Sequence, residues 1–222
     1  KQWSAHGGLY SGRKWPIIFA GIMLNDEQMQ SPERYAPNVI FHEDNQTAMG
    51  PVTYGDETIE RSWTGARAIF LGHSPYKMGE RGDSHWNRGW GPLDLYHPSQ
   101  WPERPGKIWA STGYRLANTS AAWVGQALAV RMMRAEPVWD HEGYFAYIDR
   151  WMTQDDTAWA EGLKEEGFAD FTERRFGQFN RNGFMHGPDW IREMWETYRN
   201  DLPPAPAGVD APPTPPAEET WR

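Results

Sequence analysis

The chain of 222 residues contains no cysteine. Disulfides, thiolate metal sites and a cysteine nucleophile are therefore excluded, and stability must come from packing. Long apolar runs are absent as well. No stretch approaches the roughly 20 residues that a membrane-spanning helix needs, and the mean hydropathy is -0.80. We therefore expect a protein that has no membrane partner.

Positive charge is scarce in this sequence. The 22 Lys and Arg residues are outnumbered by 30 Asp and Glu residues, which gives a formal net charge of -8. Neutralising the phosphates of nucleic acid takes a field of Lys and Arg that the chain as a whole lacks. Nucleic acid is therefore not an expected partner, and an anionic ligand would need a local basic cluster.

Aromatic residues, in contrast, are abundant: the chain has 14 Trp, 9 Tyr and 9 Phe. A Trp among Gly, Pro, Asn and His is costly to expose unless it anchors its loop or meets a ligand. Flat indole faces suit the apolar C–H faces of sugar rings, so a saccharide ligand is one interpretation and loop anchoring is the other. Five Trp residues lie in such surroundings in the middle of the chain: Trp63, Trp86, Trp90, Trp101 and Trp109.

The hydrophobic pattern predicts a mainly α-helical domain over residues 1–202. Its first helix follows a glycine-rich lead, accepts Pro16 in its first turn and ends near Asn25 or Asp26. Apolar side chains at helical spacing predict one buried face. That face consists of Trp15, Ile18, Phe19, Ile22 and Met23.

Two consecutive helices are predicted further along the chain. Asn118, Thr119 and Ser120 can cap the first, which runs to about Arg134, and Asp140 can cap the second. The short break between them predicts an antiparallel hairpin. Three other helices are predicted: a short one from Trp63 to Leu71, a weaker one from Thr157 to Glu165, and a better one that starts at Gly187-Pro188-Asp189.

The remaining segments are predicted to be irregular. From about Glu27 to Gly113 the periodicity is poor and Gly, Pro, Asn and Asp recur, which predicts long ordered loops with short strands or turns. Residues 203–222 are rich in proline and predict an extended arm. The chain starts at Lys1 without a signal segment, so we interpret it as mature or partial.

A glycine-rich lead, His6 to Lys14, precedes the first helix. Its backbone N–H groups can approach an anionic group, and Arg13 and Lys14 add charge at the positive end of the helix dipole. Arg13 and Lys14 are therefore candidate substrate-binding residues. The alternative is that the glycines only form the turn by which the chain enters the helix.

A second group of polar side chains lies between Phe41 and Thr47. It contains His42, Glu43, Asp44 and Asn45. A carboxylate here could act as a general acid or base, or it could join a metal site through His42. The spacing fits no standard metal motif, so no metal ligand is predicted. The alternative is an exposed turn in which Asp44 or Asn45 caps the next segment.

A third group runs from His85 to Trp90, with Tyr96 and His97 after it, and interleaves aromatic rings with Asn and Arg. Rings that stack on sugar faces, next to bidentate donors, suit a saccharide cleft. Trp86, Arg88, Trp90 and the nearby Trp101 are therefore candidate substrate-binding residues. The alternative is a loop that packs on the helices.

Three segments resemble parts of large proteins from polysaccharide-degrading bacteria, which are similar to the (α/α) toroid polysaccharide lyases and glycosidases. They are His6 to Ile17, Tyr114 to Leu128 and Tyr147 to Met152. The resemblance covers about half of the chain and implies an incomplete toroid of helical hairpins. It also implies a secreted or periplasmic protein whose partner is a polysaccharide or oligosaccharide, and which either forms a homo-oligomer or lacks its N-terminal half.

In toroid lyases of this kind, a Tyr or His removes the proton beside a uronate carboxylate, while Asn, His or Arg neutralises that carboxylate. The similarity makes Tyr10, His42 and His85 candidate catalytic residues. It makes Asn45 and Arg88 candidates for binding the carboxylate. The Asn-His catalytic dipeptide of standard members is not recognisable in this sequence.

Three functions follow from these patterns. The first is β-elimination of a uronate-containing polysaccharide. The second is hydrolysis by paired carboxylates, Glu43 or Asp44 with Asp83 or Asp94, which requires carboxyl groups roughly 5 to 9.5 Å apart. The third is a noncatalytic glycan-binding or assembly subunit. The sequence specifies no cofactor.

Overall fold

The structure is a computed structural model that describes residues 3–4, 13–72, 93–100, 115, 119–154, 157–167, 189–202 and 204. Helices account for most of these residues and strands for few, so the domain is mainly α-helical as predicted. Several predicted features lie outside the described residues. They are most of the glycine-rich lead, the run from His85 to Trp90, Trp101, Trp109 and the proline-rich arm apart from Pro204.

The helices of the described ranges fall into two groups along the chain. The first group consists of α1 (Lys14–Leu24), α2 (Glu27–Gln30), α3 (Pro32–Tyr35) and α4 (His42–Asn45). The second group consists of α5 (Ser120–Met132), α6 (Glu136–Trp139), α7 (Glu142–Thr153), α8 (Thr157–Glu165) and α9 (Asp189–Tyr198). Two turns of 3-10 helix, Leu93–Leu95 and Pro98–Gln100, lie between the groups.

The described strands are short and form two-stranded ladders. They are β1 (Trp3–Ser4), β2 (Val39–Ile40), β3 (Thr47–Met49), β4 (Val52–Tyr54), β5 (Glu57–Ile59) and β6 (Ala68–Phe70). β1 runs parallel to β2, while β3 pairs antiparallel with β6 and β4 pairs antiparallel with β5. Short strands were predicted for the part of the chain that holds five of these six.

The predicted helix from Trp63 to Leu71 is wrong. Ala68, Ile69 and Phe70 form β6 instead, with Phe70 opposite Thr47 of β3. All three side chains are buried. An apolar run this short fits a strand or a helix equally well. Pairing with a strand some twenty residues earlier therefore determines its structure.

α1 begins and ends where the sequence predicts, but its buried face is turned from the predicted one. Phe19 and Met23 are 42% and 62% exposed. Trp15, Ile18 and Ile22 contact the main core as expected. The helix is therefore rotated about its axis, so that only part of its apolar side faces inward.

The main core lies between α5, α7 and β6. Its centre is aromatic: the Trp139 ring stacks on Tyr144 with centroids 4.5 Å apart and planes 14° apart. Phe70 of β6 meets Tyr147 of α7 at 5.5 Å. Both predicted helices are thus present and pack together, while their antiparallel direction stays a prediction. Trp195 of α9 is buried against the same core.

The connection between α5 and α7 differs from the predicted cap. Asp140 does not cap α7; it ends α6 in the left-handed region with φ 56°. His141 occupies the cap position instead. Its Nε2 lies 3.1 Å from Oγ1 and 3.0 Å from the carbonyl oxygen of Thr47. These contacts hold the start of α7 against β3.

A smaller core holds α8 in place. Leu163 of α8 is buried with Leu95 of the first 3-10 turn, with Tyr96 just after it, and with Tyr54 and Ile69 of the strands. α8 has the predicted bounds, and Gly167 follows it with φ 91°. A bilayer crossing would need a longer and more apolar helix than any found in the described ranges.

Gly21 marks the closest approach of α1 to α2. A Cβ atom at Gly21 would lie 2.7 Å from the backbone N of Gln30 and 2.8 Å from the carbonyl carbon of Met29. Gly21→Ala should therefore lower the free energy of unfolding by about 1–3 kcal/mol, because the backbone must move apart.

Gly162 on α8 is the matched control for this substitution, because nothing lies within 4 Å of a Cβ built there. Gly162→Ala should raise the free energy of unfolding by up to about 1 kcal/mol through helix propensity. Urea unfolding of both variants measures the two changes. Equal effects of the same sign would contradict the close approach of α1 and α2.

Candidate functional site

The N-terminus of α1 holds an anion that belongs to this chain. The backbone N–H groups of Arg13 and Lys14 donate to Oε1 of Glu43, at 2.6 and 3.2 Å. Glu43 lies on α4 and is 1% exposed. Helix N-termini attract negative groups because their first N–H groups lack partners in the helix. The negative group that the sequence predicts here is therefore a side chain of the same domain.

The side chain of Lys14 points inward and is 2% exposed. Its Nζ contacts the carboxylate of Asp44, lies 2.7 Å from that of Glu33, and donates to the carbonyl oxygen of Trp139 at 2.7 Å. Nε1 of Trp139 donates in turn to Oδ1 of Asp44 at 2.8 Å. We call Lys14, Glu33, Glu43, Asp44 and Trp139 the Lys14 cluster. It joins α1, α3, α4 and α6.

The Lys14 cluster brings together two groups that the sequence analysis treated as separate sites. Its charges have partners inside the fold, which is what makes burying them tolerable. These contacts give its members a structural role. A catalytic or substrate-binding role stays a prediction for the candidates of this region: Arg13, Lys14, His42, Glu43, Asp44 and Asn45.

The segment from Phe41 to Thr47 is not the exposed turn considered as an alternative. His42 and Glu43 are 8% and 1% exposed, because α4 packs against α7 and β3. Asn45 is partly buried. Within the described ranges, no three His, Asp or Glu side chains converge as ligands of a metal ion would.

Six of the candidate site residues lie outside the described part of the chain: Tyr10, His85, Trp86, Arg88, Trp90 and Trp101. Asp83, one of the carboxylates considered for hydrolysis, lies there as well. Their catalytic or substrate-binding roles stay predictions from the sequence.

A second buried ion pair joins Asp94 to Arg150 of α7. Asp94 is 1% exposed and accepts from both terminal nitrogens of Arg150, at 2.6 and 3.0 Å, and from the N–H of Phe70 at 2.9 Å. Arg150 also donates to Oγ1 of Thr64 at 3.0 Å. The carbonyl oxygen of Asp94 accepts from the N–H of Trp63 at 3.0 Å. The pair therefore fixes the loop that contains Trp63 and Thr64 against α7.

The two buried carboxyl groups have pKa shifts of opposite sign. Burial raises the pKa of Glu43, and N–H donation from Arg13 and Lys14 offsets only part of this effect. Burial also acts to raise the pKa of Asp94, but the charge and hydrogen bonds of Arg150 outweigh it and hold that pKa below its usual value. Asp94 is therefore a firmly ionised partner of Arg150, while Glu43 takes up a proton more readily than a free Glu.

A third network, which the sequence analysis missed, anchors α9. Asp149 of α7 accepts from Arg131 of α5, at 2.7 and 3.0 Å, and from Arg199 just beyond α9. Both guanidinium groups also lie over the Trp195 ring, at 5.5 and 5.8 Å from its centroid. Nothing in the spacing indicated Asp149 as the partner of Arg131.

Three rings form an aromatic surface beside the smaller core. The rings of Trp63 and Trp159 lie 5.8 Å apart with planes at 77°, and those of Trp63 and His97 lie 5.6 Å apart at 88°. Trp159 is 42% exposed and the His97 side chain is 36% exposed. We call Trp63, His97 and Trp159 the aromatic platform. Glu166 lies at its edge, with Oε2 3.7 Å from Nε2 of His97.

Of the four residues at this surface, the sequence analysis named Trp63 and His97 but missed Trp159 and Glu166. Trp159, Leu163 and Glu166 stand four and three residues apart, which places them on one face of the helix and the turn after it. That spacing was the available signal. The contact of α8 with Trp63 spans almost a hundred residues and leaves no local pattern.

Substituting Glu43 tests the anion at the start of α1. Glu43→Gln keeps an oxygen for the two N–H groups, so we expect a change in the free energy of unfolding within about 1 kcal/mol at pH 7. Glu43→Ala removes the acceptor from a buried site and should cost about 2–3 kcal/mol. Urea unfolding measures both variants.

The wild type and Glu43→Gln should also differ in how their free energy of unfolding depends on pH. Because the folded-state pKa of Glu43 is raised, the proton-linked stability of the wild type is fully present below the unfolded value near 4.5 and is lost as pH rises through the folded pKa. The wild type should therefore lose stability relative to Glu43→Gln across that window. An advantage of the wild type that grows with pH would contradict the raised pKa.

Asp94→Asn should lower the free energy of unfolding by about 3–5 kcal/mol, because it leaves the buried Arg150 charge without a carboxylate. The loss should shrink in acid. The pKa of Asp94 in the folded protein lies below 3.8, so the stability that its ionised form contributes is lost as pH falls through that pKa. Asp56→Asn, in an exposed turn, is the control and should change stability by less than about 0.5 kcal/mol. A stable Asp94→Asn protein would show that the pair is not structural.

Comparison with known proteins adds no family. No family model matches the chain, no curated protein matches it, and no solved structure matches it. The resemblance of three segments to (α/α) toroid proteins therefore stays a prediction from the sequence. Among the described residues, the aromatic platform presents exposed indole and imidazole rings together.

Proposed function

We propose that this protein binds a carbohydrate at the aromatic platform. The observation that supports the proposal is the meeting of the Trp63, His97 and Trp159 rings at the surface, with Trp159 still 42% exposed. Aromatic side chains gain most from burial, so an exposed cluster of them marks a place where a ligand or partner packs. Sugar rings offer matching apolar faces.

The polar edge of the platform supports the same proposal. Glu166 and His97 place a carboxylate and an imidazole beside the rings. A saccharide needs both kinds of contact: apolar faces for its C–H groups and fixed polar groups for its hydroxyls. A purely apolar partner would leave the Glu166 carboxylate to be desolvated without a hydrogen bond, which is costly.

Cleavage of the carbohydrate is not included in this proposal. Glu43, Asp44 and Asp94 have structural contacts with Lys14, Arg150 and backbone N–H groups. These contacts support roles in stability, so we assign no catalytic step to them. β-Elimination stays a prediction that depends on Tyr10, His85 and Arg88, which lie outside the described residues.

We also propose that α5 and α7 form part of an (α/α) toroid in a secreted or periplasmic protein, with residues 203–222 as an extended arm. What supports the toroid is the packing of α5 against α7 and of α9 against α5. The resemblance of Tyr114 to Leu128 and Tyr147 to Met152 adds to this, because those segments overlap α5 and α7.

Trp159→Ala tests the proposal directly. We expect the wild type to bind at least one polymer in a broad panel of soluble polysaccharides. Trp159→Ala should bind that polymer at least about tenfold more weakly, as expected for the loss of an aromatic anchor from an interface. Affinity electrophoresis followed by isothermal titration calorimetry measures the loss.

Trp190→Ala is the matched control, because Trp190 is an exposed Trp on another helix, α9, and is 59% exposed. This variant should bind the polymer as the wild type does. Wild-type protein that binds no polymer of the panel, or equal losses in the two Trp variants, would refute binding at the platform.

A further inference from the structure

α1 has a second apolar face, on the side that points away from the core. Its 11 residues include one charged side chain, that of Lys14, which is 2% exposed. Five apolar residues follow the i, i+3, i+4, i+7, i+8 spacing of one helix face. We call them the outward stripe: Pro16, Phe19, Ala20, Met23 and Leu24. Four of the five are exposed and Ala20 is partly buried, so the stripe is one continuous apolar surface.

The outward stripe is exposed to an extent that is unusual for an apolar helix. Phe19, Met23 and Leu24 are 42%, 62% and 70% exposed. A helix that is apolar on all sides is normally buried on all sides, and a contiguous exposed apolar patch marks an interaction site. The five side chains carry no charge, so covering them would desolvate none. These are the properties of a docking surface.

The charges at the two ends of α1 indicate what docks on this surface. Arg13 precedes the helix, while Asp26 and Glu27 follow it. The helix dipole adds positive charge at the first end and negative charge at the second. A second α1 that runs antiparallel would bring the positive end of each copy to the negative end of the other, whereas a parallel one would bring like charges together. The ends are therefore complementary to a second copy of the same helix.

The order of residues in the outward stripe also fits an antiparallel pair. A twofold axis between Phe19 and Ala20 places Phe19 of each copy opposite Ala20 of the other. A large ring then meets a small side chain at the centre, which lets the two helices approach closely. The same axis places Arg13 opposite Asp26. One register therefore satisfies both the shape of the stripe and the charges at its ends.

We infer that α1 is the interface of a homodimer, in which the outward stripes of two copies pack antiparallel about the point between Phe19 and Ala20. The 11 residues of α1 extend over about 16 Å. A single helix face of that length buries less than the roughly 800 Å² that each partner of a standard interface buries. The dimer should therefore dissociate on dilution in the micromolar range. The aromatic platform contains none of these residues, so the inference is independent of the proposed function.

Sedimentation velocity of the whole 222-residue chain tests the dimer, at concentrations from about 1 to 100 μM that bracket the expected Kd. Met23→Glu places a carboxylate in the outward stripe and should weaken dimerisation at least about tenfold, because the dimer would bury that charge. Trp190→Glu is the matched control. Trp190 is 59% exposed on α9 and the change adds the same charge, so this variant should dimerise as the wild type does. Both side chains are exposed, so both variants should fold.

The absence of cysteine allows a separate test of the direction of pairing. In the antiparallel pair the two copies of Ala20 lie beside the twofold axis, whereas the two copies of Leu24 lie about 13 Å apart along the helix direction. Mild oxidation should therefore link Ala20→Cys into a disulfide dimer far more than Leu24→Cys. Random collision would favour Leu24→Cys instead, since Leu24 is 70% exposed and Ala20 is partly buried.

A wild type that stays monomeric at every concentration would overturn the inference, as would a dimer that persists in Met23→Glu. Equal cross-linking of Ala20→Cys and Leu24→Cys would indicate a parallel pair and overturn the arrangement. Flotation with phosphatidylcholine vesicles tests the other occupant of such a face. A monomer that floats with the vesicles, and no longer does so as Met23→Glu, would assign the outward stripe to a lipid surface instead of a second copy.

Discussion

The buried pair of Asp94 and Arg150 determines where the proposed binding surface lies. Arg150 holds Thr64 through its Oγ1, and the carbonyl oxygen of Asp94 holds the N–H of Trp63. Asp94 stands three residues before His97, so one ion pair fixes both segments that supply rings to the platform. A buried ion pair contributes little more net stability than apolar side chains of similar volume would, whereas removing one of its two partners is costly. Its effect is therefore to specify one arrangement of these loops on α7.

The Lys14 cluster shows the same use of charge at the start of α1. Glycines before a helix, followed by Arg and Lys, are a pattern typical of an anion site. In this domain the anion is Glu43, which arrives from α4 and satisfies the N–H groups of Arg13 and Lys14. These N–H groups therefore have an internal acceptor, while the substrate-binding roles of Arg13 and Lys14 stay predictions. The chain lacks disulfides, and these networks join its short helices in their place.

The sequence predicted those parts of the fold that depend on local pattern. The periodic helices α1, α5, α7, α8 and α9 were all located, because apolar spacing and end signals are written within each segment. β6 was missed because its partner β3 lies elsewhere in the chain, and Asp140 was misassigned because its left-handed conformation ends α6 before α7 can use it as a cap.

At the candidate site, Trp63 and His97 were visible as loop aromatics. Trp159 and Glu166 belong to a helix whose docking on that loop no local rule describes.

Charge acts on the proposed carbohydrate ligand at two length scales. The whole chain has a net charge of -8, so an approaching polyanion is repelled on average, and salt weakens that repulsion beyond roughly 10 Å. At contact distance salt screens much less, so the carboxylate of Glu166 repels an acid group that approaches the edge of the aromatic platform. An uncharged sugar at the proposed surface meets neither repulsion.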